Sequence, residues 1–122
     1  MKVAFTTQGN NFDAKISQIF KQAEFFLIVD LDDLQSYKAI PNLYKDAWDG
    51  SEIFCAQLVI SYGVQIVFTG SCSPNASRIF QEAKIKIFED VKGSVRKIIQ
   101  SLENNELIPS QMPQTNNSVS SR

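Results

Sequence analysis

The sequence predicts an α/β fold: a five-stranded mixed sheet with an antiparallel hairpin beside parallel strands, and helices covering the faces. Three observations predict it. Strand patterns fill residues 2–41, after which the order becomes helix, strand, helix, strand, helix. Val64–Gly70 (VQIVFTG) reads as a buried strand running into the sharp turn Ser71–Ala76 (SCSPNA). Pro74 follows a Ser cap at the first helical position, where its missing amide hydrogen would have had no partner anyway. A strand end facing a helix N-terminus is where open α/β sheets build ligand sites.

The elements follow in order. Lys2–Thr7 is a short first strand, ending in the loop Gln8-Gly9-Asn10-Asn11, whose Gly and Asn tolerate unusual backbone angles. Asp13–Phe20 is ambiguous, with one helical turn as its reading. Phe25–Leu31 is a strand whose near-continuous apolar run predicts burial on both faces. Asp32-Asp33 turns it into Gln35–Ile40, a hairpin closed by Pro41. Asp49 with Glu52 three residues on resembles a capping box. Cys55, Leu58, Val59 and Tyr62 then form one apolar stripe, and Gly63 ends that helix. The next helix carries Ala76, Ile79, Phe80 and Ala83 at the same spacing, and Ile85–Phe88 is a short strand. Ser94 caps a last helix with the stripe Val95, Ile98, Ile99 and Leu102. Tyr44 and Trp48 are expected to pin their loop to the core.

Bulk properties narrow the functions. The 122 residues, 43% hydrophobic and 20% charged, are ordinary for one globular domain. The domain is expected over residues 1–107, and 108–122 is expected to be a disordered polar tail. A net charge of −1 gives no basic face for nucleic acid. The apolar runs are strand-length, so no membrane span is expected. The chain enters a strand at once, with no room for a signal peptide, and the expected location is cytoplasmic. In that compartment the two cysteines are expected as thiols, although a Cys55–Cys72 disulfide stays open. With no histidine, Ser-His-Asp and Cys-His nucleophilic systems and His-bearing zinc sites cannot be assembled. The first strand holds no carboxylate, and Asp30, Asp32 and Asp33 read as turn formers, which argues against a two-metal nuclease.

Met1–Asp30 (MKVAFTTQGNNFDAKISQIFKQAEFFLIVD), with IVFTGSCSPNA, AKIKIF and GSVRKIIQSL further on, resembles the dinitrogenase iron–molybdenum cofactor biosynthesis family. The resemblance spans about residues 1–107. It implies a ribonuclease H-like three-layer α/β/α fold with sheet order 3-2-1-4-5, and a nitrogen fixation-related role in carrying or holding metal-cluster precursors. Members commonly show S-x-H-F-G in the first long loop; here Ser17-Gln18-Ile19-Phe20-Lys21 stands there, with Ile19 for the imidazole and Lys21 for the glycine.

Cys72 is the candidate metal ligand. The helix dipole and adjacent amides favour its thiolate, and a soft sulfur suits a cluster iron. The alternative is a small apolar residue tucked under the turn. Cys55, on the inward stripe, reads as packing. Gly70, Ser71, Ser73, Asn75 and Ala76 form one candidate cofactor-binding wall, with amides able to hold an anion. The loop Gln8–Lys21, with Ser17, Phe20 and Lys21 as its candidate residues, forms the other, Lys21 adding charge if its loop faces the turn. The expected function is a non-enzymatic carrier for an iron–sulfur or iron–molybdenum–sulfur cluster or its precursor, with cluster donor and acceptor proteins as partners. Two alternatives stay open: a member that works through protein contacts, and one that binds a small anionic or phosphate ligand at the same turn. Monomer and homodimer both stay open.

Overall fold

Alternation along the first strand organises the molecule. In the computed structural model, which describes residues 1–104, β1 (Lys2–Thr7) sends Val3 and Phe5 to one face and Ala4 to the other. Period-2 side chains thus feed two separate cores. One holds Ala4, Phe26, Ile28 and Val67 under α1 (Glu52–Ile60) and α2 (Pro74–Glu82). The other holds Val3, Phe5, Leu27, Val29, Phe68 and Phe88 under α3 (Val95–Glu103). On that second face Phe68 stacks between Phe5 and Phe88, each ring pair at 4.9 Å.

The remaining strands are β2 (Phe25–Asp30), β3 (Asp33–Pro41), β4 (Ile66–Phe68) and β5 (Lys86–Phe88). The sheet order is β3-β2-β1-β4-β5, with β1–β2 and β2–β3 antiparallel and β1–β4 and β4–β5 parallel. This is the expected three-layer α/β/α arrangement in the expected order. Phe26–Val29 of β2 are all buried, as the continuous apolar run requires. The parallel strands are shorter than the apolar runs suggested. The expected boundary at residue 107 and the disordered tail 108–122 lie outside the described residues.

Three local expectations change. Asp49 and Glu52 form no capping box: Ser51 occupies the cap with helical backbone angles and no side-chain cap bond. Its hydroxyl donates instead to the Tyr44 carbonyl at 3.3 Å, tying the preceding loop to the helix. The ambiguous stretch before Phe20 is not a helix: a turn at Phe12-Asp13 leads into Lys15 and Ile16, which bridge to Ser94 and Thr7, and a 3-10 helix follows at Phe20–Gln22. Trp48 is 61% exposed, so of the two rings only Tyr44 packs against the core. Elsewhere punctuation works as read. Ser73 and Ser94 accept hydrogen bonds from the Ala76 and Lys97 amides, and Gly63 takes φ +77° to end the α1 turn.

Replacing Ser94 by Ala removes the α3 cap and is expected to cost about 1 kcal/mol. Thermal or urea unfolding measures it, and an unchanged midpoint would show that α3 needs no cap.

Candidate functional site

The parallel strands β1, β4 and β5 end together, and the chain crosses their ends twice. The first long loop brings Ser17–Phe20 against Gly70-Ser71 after β4. Backbone bonds stitch the two: Gly70 N donates to Ser17 O at 3.0 Å, and Phe20 N to Ser71 O at 2.9 Å. The Ser71 hydroxyl adds a bond to Gln18 O at 3.0 Å. Ser17 N in turn donates to Thr6 O at 2.8 Å, and Gly70 O accepts from Asp90 N at 2.7 Å. Beneath them the buried hydroxyls of Thr6 and Thr69 bond at 2.8 Å.

This closeness explains Gly70. A Cβ there would stand 2.3 Å from Gln18 O and 2.4 Å from Gln18 Cα, which no side chain can share with backbone.

The sequence-predicted site residues therefore divide. Gly70, Ser71 and Ser17 are stitches; the Ser17 hydroxyl is further committed to Ile19 O at 2.9 Å. Phe20 belongs to the core rather than to a wall, packing on Phe26 and edge-on to Phe80, each at 5.5 Å. Lys21 does not face the turn: its Nζ donates to Ala47 O at 3.2 Å, toward the loop before α1. Asn75 is exposed on the first turn of α2. Ser73 and Ala76 are joined by the cap, so the Ala76 amide is already engaged.

Cys72 lies half-buried, packed against the core under α1 and α2. The expectation of a favoured thiolate is reversed. Burial pushes its thiol up to about 11, and the Glu89 and Glu52 carboxylates push the same way, while a Ser77 hydrogen bond opposes them. Desolvation and two nearby negative charges both disfavour the thiolate. The anion position at the turn is also filled from within, because Cys72 N donates to Glu89 Oε1 at 3.3 Å. Cys55 is buried, and burial likewise raises its thiol to about 11. Both cysteines are free, which settles the disulfide alternative. Among the described residues no group of three or more His, Cys, Asp or Glu side chains could hold a metal ion.

On the far side of the stitched loop lies a groove of about 470 Å³, lined by Gln8, Ser17, Gln18, Ile19, Gln22, Glu24 and Lys45. It is polar, and its only ion pair joins Lys45 to Glu24, which holds the Lys45 ammonium above its ordinary value. Gln8, Ser17, Gln18 and Ile19 lie in the loop expected as one wall, although only Ser17 was singled out there. The missed signal was the recurrence of glutamine at 8, 18 and 22 around one loop. Side-chain amides offer both donors and acceptors without a net charge.

The model of the family described as "Dinitrogenase iron-molybdenum cofactor" matches residues 1–105. The chain belongs to this family. No curated protein matches it. Among solved structures it is similar to the apo form of the orange protein from Desulfovibrio gigas, with 24% identity, a TM-score of 0.81 and coverage of 93% of this chain and 95% of that one. It is also similar to a candidate NifB protein from Thermotoga, with 21% identity, TM-score 0.73 and coverage of 97% and 96%. A candidate dinitrogenase from Methanocaldococcus jannaschii shares 24% identity at TM-score 0.64, with coverage of 93% and 97%. These likenesses establish the shared fold. Among the described residues no helix is long and apolar enough to cross a membrane.

Two outcomes follow from this geometry. Gly70→Ala must push two backbone segments apart and is expected to destabilise by about 2 kcal/mol, the usual scale of overpacking; an unfolding midpoint equal to that of the unchanged protein would contradict the close approach. Both thiols ionise at 9.0 ordinarily and at about 11 here, so the folded state keeps protons that the unfolded state has lost. The two thiols therefore leave stability unchanged below pH 9 and lower it between pH 9 and about 11. Replacing both cysteines by alanine should flatten that part of the pH–stability curve, measured against urea.

Proposed function

We propose that this chain is a non-enzymatic accessory module that holds an iron–sulfur or iron–molybdenum–sulfur cluster, or its precursor, as cargo. The observation that carries this reading is the amide-lined groove over the ends of the sheet, in a chain of a family described by that cofactor. Open α/β sheets place ligands at this rim.

Ligation through Cys72 does not fit. Its protonated sulfur, the two carboxylates beside it and the lack of co-ligands among the described residues all disfavour a sulfide-rich anion. Hydrogen bonding in the groove fits better. The side-chain amides of Gln8, Gln18 and Gln22 can donate to sulfide or oxide, and an anionic guest would share the Lys45 ammonium with Glu24. Such a hold breaks no metal–ligand bond on release, which suits handing over rather than storage. The groups in the groove that could do chemistry are engaged within the protein, Glu24 with Lys45 and the Ser17 hydroxyl with Ile19 O.

The probe is tetrathiomolybdate, a simple sulfide-ligated molybdenum anion, added without oxygen and followed by its visible absorption and by molybdenum co-eluting on gel filtration. The protein is expected to retain it. Lys45→Ala, which removes a charged hydrogen bond, should weaken binding about tenfold or more, and Cys72→Ser should leave it unchanged. Failure to retain molybdenum would overturn the carrier reading. Loss of binding in Cys72→Ser alone would move the site back to the turn.

A further inference from the structure

We propose that the aromatic face of residues 42–54 is a docking site for a protein partner presenting an apolar pocket rimmed by lysine or arginine. Folding alone does not account for this face. Leu43 is 83% exposed, Trp48 61% and Phe54 42%. Phe54 is the hub: Tyr44 stacks on it and Trp48 meets it edge-on, both at 5.6 Å. Burying these rings against a partner would remove a large apolar area from water, and tryptophan with clustered aromatics is the usual make-up of an interface hot spot.

The segment is held in shape rather than left loose. Asn42 Nδ2 donates to Lys21 O at 2.7 Å and to Ala23 O at 2.9 Å, while its Oδ1 accepts from Tyr44 N at 2.9 Å. Lys21 Nζ on Ala47 O and Ser51 Oγ on Tyr44 O fix the middle and the end. A face already ordered loses little entropy when it is covered.

Charge selects the occupant. Lys21 Nζ is held on Ala47 O, Glu52 turns away to accept from the Ser73 hydroxyl, and Asp46 and Asp49 flank Trp48. Lys45 is spent on Glu24, and Asp46 and Asp49 are exposed. A negative rim repels phosphate-bearing surfaces, whether nucleic acid or anionic lipid, and attracts basic protein. It also opposes a second copy of this chain, because a two-fold interface would set the acidic rim against itself. The assignment needs no cargo, so it stands or falls separately from the carrier reading.

Trp48 is the only tryptophan in the chain, so its emission reports this face alone. The probes are two tryptophan-free amphipathic helical peptides, one of leucine and lysine, the other of leucine and glutamate. The leucine–lysine peptide is expected to shift the emission to the blue and to reduce acrylamide quenching several-fold, with affinity falling as salt rises. The leucine–glutamate peptide should do neither. The double variant Asp46→Lys, Asp49→Lys, folded by circular dichroism, should invert the preference, and Leu43→Ser should weaken binding without affecting tetrathiomolybdate. No response to either peptide, or an equal response to both, overturns the proposal. A blue shift that grows with protein concentration alone, or on vesicles of phosphatidylglycerol, assigns the face to a second copy or to a membrane and overturns it as well.

Discussion

One close approach governs the rim of this molecule: the backbone of Gln18 lying against the Cα of Gly70. Because residue 70 has no side chain, the loop after β1 can run along the chain leaving β4 within hydrogen-bonding distance. Gly70 then donates to that loop and accepts from Asp90 beyond β5. One residue thereby joins the connections that follow three strands. Buried backbone groups must find partners, and here they find them across the top of the sheet rather than in water.

The consequence is a division of labour around the rim. On the α2 side the donors are already used: Ser73 takes the Ala76 amide, and Glu89 takes the Cys72 amide. A thiol placed there sits among apolar neighbours and two carboxylates, so it keeps its proton. On the β2 side the same stitched loop turns its glutamines outward and leaves a polar groove. The turn that looked most like an anion site is filled by the protein itself. The space next to it is what remains for a guest.

Much of the fold was legible because its signals are local. The Ser73-Pro74 helix start, the Ser94 cap and the inward stripe of α3 all hold as read, since each depends on residues a few positions apart. The continuous run Phe26–Val29 correctly implied a strand covered on both faces. What failed depended on distant partners. Ser51 rather than Asp49 stands at the cap position of α1, and its hydroxyl goes to the Tyr44 carbonyl instead of capping the helix. Phe20 looked like part of a binding motif, yet Phe26 and Phe80 claim it for the core. Cys72 was placed at the right helix end, but no spacing in the chain reveals that Glu52 and Glu89 converge on it. The groove was legible only in part for the same reason: its loop Gln8–Lys21 was expected as a wall, but Glu24 and Lys45 reach it from other elements.

The central claim is that the rim is a preformed, backbone-stitched platform and not a loose loop that closes on a ligand. Amide hydrogen exchange of Ser17, Phe20 and Gly70 in the protein alone tests it most directly. The account predicts that these three amides exchange as slowly as those of β1, because each is bonded to backbone at the sheet's end. Exchange as fast as that of the exposed Asn10 and Asn11 would show an open rim and contradict it.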